Sequence, residues 1–481
     1  MAISTPDFCK KKGFMYPSND LYGGLAGFYD YGHHGKSLKN NFENKWRKYF
    51  LNLSNDYVEI EASEIMHKDV FKASGHLDNF VDPVAISKTG QLERADHLVS
   101  KHLKKMVEGY STKKLFDLIK KNNIKSSVDG SDIVKVDVMN LMFPINMGRG
   151  VEAYLRPETA QSPYINFKRQ HEYLRKKIPV GLASIGRAYR NEISPRNFTI
   201  RQRGFTQAEL QIFFNPEKIN ECDDFKSVEN YVLRILPGDD RKKVIEVKAK
   251  ELAKKIPVFY VYHLVMVQKF YYEVLNFKKE VIRFAELKDD EKAFYNKYHY
   301  DIEADLKGLG WTEIGGVHYR TDHDLKGHQK QSSQNQEVLD DKTGKKYIPH
   351  VLELSFGVDR NIYALIDLNL KEKDGNNLLS LAPFLSPVKI AVFPLLKNKP
   401  ELVSKARQVF DDLKKDYDVV FDATGSIGRR YARQDEIGTP LCLTVDFESL
   451  DDDSITIRYR DTSEQDRIKI KDLKKIIDEK I

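Results

Sequence analysis

From Val180 to Phe214 the chain alternates with the two-residue period of extended strands. Ala208, Leu210, Ile212 and Phe214 form one apolar face, and Phe205, Gln207, Glu209 and Gln211 form the other. Earlier in the segment Ser184, Gly186, Ala188, Arg190 and Glu192 line up, with small residues leaving room beneath the arginine. Ser194-Pro195-Arg196-Asn197 is turn chemistry, so the segment predicts a long hairpin with Arg201 and Arg203 just past its loop. The alternation recurs at Val151–Glu158, where Glu152, Tyr154, Arg156 and Glu158 share a face. It recurs at Val351–Gly357, with Glu353, Ser355 and Gly357 polar and Leu352, Leu354 and Phe356 pointing into a core. A helix is predicted from Val358, with Arg360 in its first turn. A cation at the positive end of a helix dipole implies a nearby anion, or an ion pair with Asp359 or another acid.

Helical periods frame these strands. Leu38, Phe42, Trp46 and Phe50 recur every fourth residue, and core packing is the plain reading of that stripe. Residues 104–135, rich in Lys, Ser and Asn, predict a helical insertion with a flexible loop. Residues 216–300 predict a second, larger insertion, helical and charged and then rich in Tyr and Lys. Within it the run Val258–Val267 is a buried helix or strand, too short to span a bilayer. Strand-like segments resume at Gly310 and run to Ala382. After Pro387 the order is strand (Val388–Pro394), helix (Glu401–Lys415), strand (Val419–Phe421), helix (Ser426–Glu436), then strands around Leu441 and Ile455. That order predicts a compact α/β domain with a partly parallel sheet. The expected domains are therefore 1–386, carrying both insertions, and 387–481.

Composition changes this picture only slightly. The 481 residues allow about three domains by the usual length prior. The 78 Lys+Arg against 71 Asp+Glu leave a net charge of +7, compatible with an RNA partner without demanding one. Cys9, Cys222 and Cys442 lack C-x-x-C spacing, which predicts neither a zinc site nor a disulfide framework and points to a reducing compartment. Met1–Lys12 lacks the apolar stretch of a signal peptide, so a cytoplasmic location without membrane contact is expected. There is no Walker loop and no dinucleotide glycine fingerprint; Gly23-Gly24 and Gly148-Arg149-Gly150 read as turns. Any ATP site must then lie on an antiparallel sheet. An aromatic among arginines and carboxylates on a polar strand face points to a pocket for an anion and a base.

Arg190-Asn191-Glu192, its following loop and Arg201-x-Arg203-x-Phe205 resemble motif 2 of class II aminoacyl-tRNA synthetases, and residues 353–360 (ELSFGVDR) resemble motif 3. Within that class, 156–161 (RPETAQ), 190–197 (RNEISPRN) and 27–32 (GFYDYG) are similar to the glycyl family. Residues 428–440 (GRRYARQDEIGTP) resemble the anticodon-binding domain shared by glycyl, prolyl, threonyl and histidyl enzymes. The resemblance implies an α+β chain: an antiparallel class II sheet flanked by helices, followed by an α/β anticodon-binding domain. It implies activation of glycine with ATP and transfer to the 3′ end of tRNA(Gly) by a homodimer, with Mg²⁺ accompanying ATP and no zinc. By the same resemblance Arg190 holds the α-phosphate and the glycine carboxylate, and Phe205 and Arg360 sandwich adenine. Asn191, Glu192, Arg201, Glu313 and Gly357 line the nucleotide site. Glu158, Glu209, Glu353 and Ser355 surround the glycine ammonium, with Arg94 close by. The Leu38–Phe50 helix falls where motif 1 makes the family's dimer interface, which overrides the core-packing reading.

The pattern departs from the family at His33-His34, at Leu354 and at Gly204, which stands in place of a usual Glu. The resulting RGFTQ is as in threonyl enzymes and keeps a threonyl-type reading open, although the zinc-ligand cysteine and histidines of those enzymes have no counterparts. A non-catalytic accessory subunit is the other alternative. Such relatives tend to lose the motif 2 and motif 3 arginines, and both stand here.

Overall fold

The computed structural model describes residues 3–105, 107, 109–148, 150–293 and 295–481. Its centre is a nine-stranded sheet drawn from segments far apart in sequence. In chain order these are β1 (Tyr57–Glu59), β2 (Val180–Tyr189), β3 (Gly204–Phe214), β4 (Val232–Leu236), β5 (Ile245–Lys248), β6 (Ile282–Glu286), β7 (Tyr298–Leu306), β8 (Gly310–Thr321) and β9 (His350–Gly357). They lie in the order β5-β4-β6-β7-β8-β9-β3-β2-β1. Only β1 with β2 and β4 with β6 run parallel.

The predicted hairpin is β2 and β3, with Ser184 opposite Glu209 and Ala188 opposite Phe205. β9 continues the pattern, placing Ser355 opposite Glu209 and Glu353 opposite Gln211. Leu210, Ile212, Leu352, Leu354 and Phe356 take the other face and are buried in one core with helices α1 (His33–Phe50), α2 (Val258–Lys269) and α3 (Val358–Asn369). Period-two side chains thus divide the sheet into an apolar face that anchors it and a polar face free for chemistry.

Three expectations change. Leu38, Phe42, Trp46 and Phe50 are wholly buried, and the Trp46 and Phe50 rings lie 6.0 and 4.9 Å from that of Phe356. The apolar stripe is covered by the chain's own sheet and serves packing, while Lys36, Asn40, Asn44 and Lys48 stand on the exposed side of the same helix. Residues 216–300 are not a helical outgrowth either. They supply β4, β5, β6 and the start of β7, extending the central sheet at one edge. Their charged pattern hid the strands because β5 is an edge strand, exposing Ile245, Glu246 and Lys248, and charge on an edge deters further pairing. Val258–Val267 is helical, inside α2, and is buried on nearly every side. Residues 104–135 hold one helix, Thr112–Lys121, and then enter the strand Ile133–Asn140. That strand pairs with Val81–Ser87, so the segment completes a small α/β unit whose core includes Ala85, Leu98, Leu115, Ile119 and Ile133.

The last region holds β10 (Ile390–Pro394), β11 (Val419–Phe421), β12 (Leu441–Val445), β13 (Ser454–Tyr459) and β14 (Gln465–Lys469), in the order β11-β10-β12-β13-β14. β10, β11 and β12 run parallel, with helices Pro400–Leu413 and Ile427–Ile437 in the expected places. β14 and the helix Leu473–Lys480 lie beyond the predicted elements. This region has its own core around Ile390, Val392, Leu443 and Ile457. Gly148 and Gly150 have the positive φ of turn residues, while Arg149 lies outside the described residues. Among the described residues no helix is long and apolar enough to cross a membrane.

Candidate active site

The polar face of β3, β9 and β8 opens into a cavity of about 330 Å³. Glu158, Arg190, Glu192, Arg201, Phe205, Glu209, Glu313, Glu353, Ser355, Gly357 and Arg360 all line it. Two expected residues do not. Arg94 is bound to Asp82 at 3.0 Å and Asp96 at 2.5 Å, so its guanidinium belongs to the small α/β unit. Asn191 is tied by its backbone N–H to Leu141 O at 2.8 Å and is not among the residues that line the cavity.

One end of the cavity is acidic and buried. Glu158 arrives by an indirect route. The strand Glu152–Leu155 ends before Arg156 and belongs to a separate three-stranded sheet, which leaves Glu152 exposed beside Lys68 rather than on a shared face with Glu158. Arg156 then turns inward, donating to Arg187 O at 2.8 Å and to Ser162 Oγ at 3.2 Å. A Cβ at Gly186 would stand 2.1 Å from Arg156 Nη2. The small residues of β2 therefore make room for Arg156, not for Arg190, and the anchored segment delivers Glu158 and Thr159 to the cavity.

Glu209 accepts from Ser355 Oγ at 2.7 Å, from Thr159 Oγ1 at 2.7 Å and from Gln207 Nε2 at 2.9 Å. Glu353 accepts from Gln211 Nε2 at 2.8 Å and Arg320 Nη1 at 3.0 Å, and also meets His318 Nδ1. Arg320, 3% exposed, reaches Glu158 at 3.4 Å and Asp324 at 3.1 Å as well. These contacts separate the carboxylates electrostatically. Burial raises all three, but Arg320 and His318 pull Glu353 down to about 2, and Arg320 and His76 hold Glu158 well below the usual range. Glu209 is the one of the three glutamates that makes no ion pair among the described residues, and the Arg156 guanidinium acts on it only from farther off. Burial, with Glu353 and Glu158 nearby, pushes it up to about 8.

The other end is basic and wetter. Arg190 donates from Nε to Pro157 O at 2.9 Å, and its guanidinium stands 5.3 Å from the Phe205 ring centre. Arg360 donates to Ile200 O at 2.9 Å and pairs with Glu313 at 3.0 Å, which answers the question of its position in the first helical turn. Asp359 is occupied elsewhere, accepting from Thr206 N at 2.6 Å and from Tyr31 Oη. Arg201 faces Glu192 at 3.6 Å. The side chains of Arg201, Arg360 and Glu313 are 32%, 28% and 52% exposed. Guanidinium groups around an aromatic face suit a phosphorylated base. At Gly204 a Cβ would meet the Phe28 ring at 3.0 Å, so Phe28 of the GFYDYG segment occupies the space beside it.

Arg320, His318 and Tyr295 line the cavity without having been singled out in the sequence. The alternation Gly316-His318-Arg320 along β8 was the available signal; it repeats the pattern that drew attention to β3 and β9.

Comparison with known proteins adds to this geometry. Residues 145–369 match the family described as tRNA synthetase class II core domain (G, H, P, S and T), and residues 389–480 match the anticodon binding domain. The chain is 36% identical to a glycine–tRNA ligase of Pyrococcus abyssi, covering 99% of this chain and 97% of that one. It is 33% identical to the glycine–tRNA ligase of Methanococcus vannielii, covering 99% of both. In fold it is similar to a threonyl-tRNA synthetase RNA binding domain structure from Cryptosporidium parvum (TM-score 0.64, 16% identity, 99% of this chain and 98% of that one). It is also similar to the prolyl-tRNA synthetase of that organism (TM-score 0.57, 14% identity, 99% of this chain and 75% of that one).

Proposed function

The chain belongs to the glycine–tRNA ligase family, and from that premise we propose that its cavity holds glycine at the Glu158–Glu209–Glu353 end and ATP at the Arg190–Phe205–Arg360 end. The activity is aminoacylation of tRNA with glycine, with ATP as the second substrate. The observation that carries the site assignment is the acidic end: of three buried carboxylates, Glu158 and Glu353 pair with Arg320, while Glu209 makes no ion pair among the described residues and is pushed up to about 8.

A glycine ammonium supplies a positive charge and three N–H donors. Glu209, Ser355 and Glu353 then stand where a Cβ has to go, so selection works by exclusion, with a larger amino acid clashing or stripping the carboxylates of their partners. The glycine carboxylate is already ionised and attacks the α-phosphorus without a general base. The P–O bond to the departing pyrophosphate breaks as the new one forms. Arg190 and Arg360 neutralise phosphate charge, while Phe205 and the Arg360 guanidinium flank the adenine. Glu313, half open and offering hard oxygen donors, fits a Mg²⁺ carried in with the nucleotide, which supplies further neutralisation. In the second step a terminal ribose hydroxyl of tRNA attacks the glycyl carbonyl and AMP leaves.

The finer assignments follow the same reading: residues 1–386 as the catalytic domain, 387–481 as the reader of the tRNA(Gly) anticodon, and a cytoplasmic homodimer. Light scattering of the purified chain tests the pairing. Amino-acid-dependent ATP–pyrophosphate exchange across all twenty amino acids tests the pocket: glycine alone is expected to support exchange. Exchange with alanine or threonine at a comparable rate overturns the placement of the carboxylates.

A further inference from the structure

The β7–β8 wall of the cavity carries a side-chain cluster in which only His318, against Glu353, has a role in the site described above. His299 on β7 stands directly opposite His318 on β8, and Asp301 stands opposite Gly316. All three donor-bearing residues line the cavity, each partly open, and their ligand atoms lie within 4.8 Å of one another.

The orientation of each ring matters more than proximity. His318 Nδ1 is committed to Glu353 Oε1, which leaves Nε2 as the inward atom. A Cβ at Gly316 would stand 2.3 Å from that Nε2, so the ring edge lies over the one residue opposite Asp301 that has no side chain. His299 Nε2 lies 2.8 Å from Asp301 Oδ1, and its Nδ1 lies 3.2 Å from the Asn296 amide nitrogen. The amide oxygen of Asn296, a residue 6% exposed, is buried with no hydrogen-bond partner. Half a turn of that amide satisfies the oxygen with His299 Nδ1–H and frees the Nε2 lone pair toward Asp301 and His318.

We propose that His299, Asp301 and His318 form a divalent transition-metal site of the zinc type, with a remaining coordination position open to the cavity. Two imidazoles and one carboxylate select Zn²⁺ or its substitute Co²⁺ over Mg²⁺. The outer partners are those such a site requires: Glu353 behind His318 and Asn296 behind His299, each fixing which nitrogen faces the ion. A carboxylate or phosphate oxygen of a molecule in the cavity completes the coordination. This differs from the sequence-based expectation of no zinc, which rested on the absence of C-x-x-C spacing and of the threonyl enzymes' cysteine and histidine ligands. The ligands here are a His-x-Asp pair and a histidine brought opposite it by strand pairing.

The test uses the full chain without a histidine tag, stripped of metal and titrated with Co²⁺. One Co²⁺ per chain is expected, with the visible absorption of a low-coordinate nitrogen–oxygen site, displaced by Zn²⁺ and not by excess Mg²⁺. His299→Ala and Asp301→Asn are expected to weaken Co²⁺ binding by at least about tenfold. Their circular dichroism and unfolding curves are read alongside to confirm that they fold. Absence of stoichiometric Co²⁺ binding by the unmodified chain, displacement by Mg²⁺, or equal binding by the two folded variants overturns the site. None of these readouts depends on which amino acid the enzyme activates.

Discussion

The two ends of one cavity are built on opposite principles. At the acidic end Glu158, Glu209 and Glu353 are buried and held by side-chain partners on four segments, and Glu158 and Glu353 share one guanidinium. At the basic end Arg201, Arg360 and Glu313 are a quarter to a half exposed and pair loosely. Water screens charge at the second end and is nearly excluded from the first. A small ligand with no side chain can be recognised only where each polar atom is already fixed, because it offers few contacts. A nucleotide brings its own charge and a large stacking surface, so its end can stay open until it arrives.

The largest test of this contrast is Arg320→Met. It leaves Glu158, Asp324 and Glu353 buried without their common cation. A loss of about 3–5 kcal/mol in unfolding free energy is expected, together with loss of glycine-dependent exchange. Denaturant unfolding that shifts by less than about 1 kcal/mol, the range of an exposed pair, breaks the comparison.

Glu209→Gln sharpens it next. Losing a charge-assisted partner of the ammonium raises the glycine KM by about 10- to 100-fold, with the ATP KM little changed. A matching loss for ATP discredits the division into two ends. The pH dependence has a definite sign. Glu209, pushed up to about 8 from its ordinary 4.5, is mostly protonated at neutral pH before glycine binds. Glycine affinity is therefore expected to rise as pH climbs through about 8, a slope that Glu209→Gln removes. For the unliganded fold the same raised pKa favours the native state below about 4.5 and loses that contribution as pH rises toward 8. Glu353, pulled to about 2, acts in reverse: its contribution is present above 4.5 and is lost as pH falls toward 2. Unfolding of Glu209→Gln and of Glu353→Gln across pH, each against the parent, separates the two.

Alternation made much of this legible in the sequence. Strand period put Glu209 on the polar face of one segment and Glu353 and Ser355 on the polar face of another; the family resemblance grouped them around one ligand, and strand pairing sets them side by side. The same logic failed where the chain leaves a strand. Glu158 reaches the cavity through the anchored turn at Arg156, and Glu152, three strand periods before it, ends exposed. It failed too where an edge strand is disguised by charge, as at Ile245–Lys248, and where one stripe fits two partners, as for Trp46 and Phe50. Arg320 was overlooked because β8 was read as strand without its faces being assigned. Of the residues the family resemblance grouped, all but Asn191 and Arg94 line the cavity, and Arg94 pairs with Asp82 and Asp96.

Phe205→Ala probes the open end with a smaller effect. Base stacking on an aromatic is worth about 1–3 kcal/mol, so an ATP KM raised about tenfold or more is expected while the glycine KM holds. The Arg190 guanidinium, 5.3 Å from the same ring, also loses a neighbour, which adds a decrease in kcat. A larger change for glycine than for ATP merges the two ends into one site.

Arg94→Gln gives the smallest kinetic effect and a pointed one. Its guanidinium joins Asp82 and Asp96, which are themselves largely buried, so the variant is expected to unfold more readily. Yet no wall of the cavity includes Arg94, and the glycine KM is expected to stay within about twofold of the parent. Stability and affinity should therefore part company at this residue, whereas at Arg320 they fall together. A rise in glycine KM comparable to that of Glu209→Gln places Arg94 among the groups that bind glycine, and the acidic end then extends into the small α/β unit.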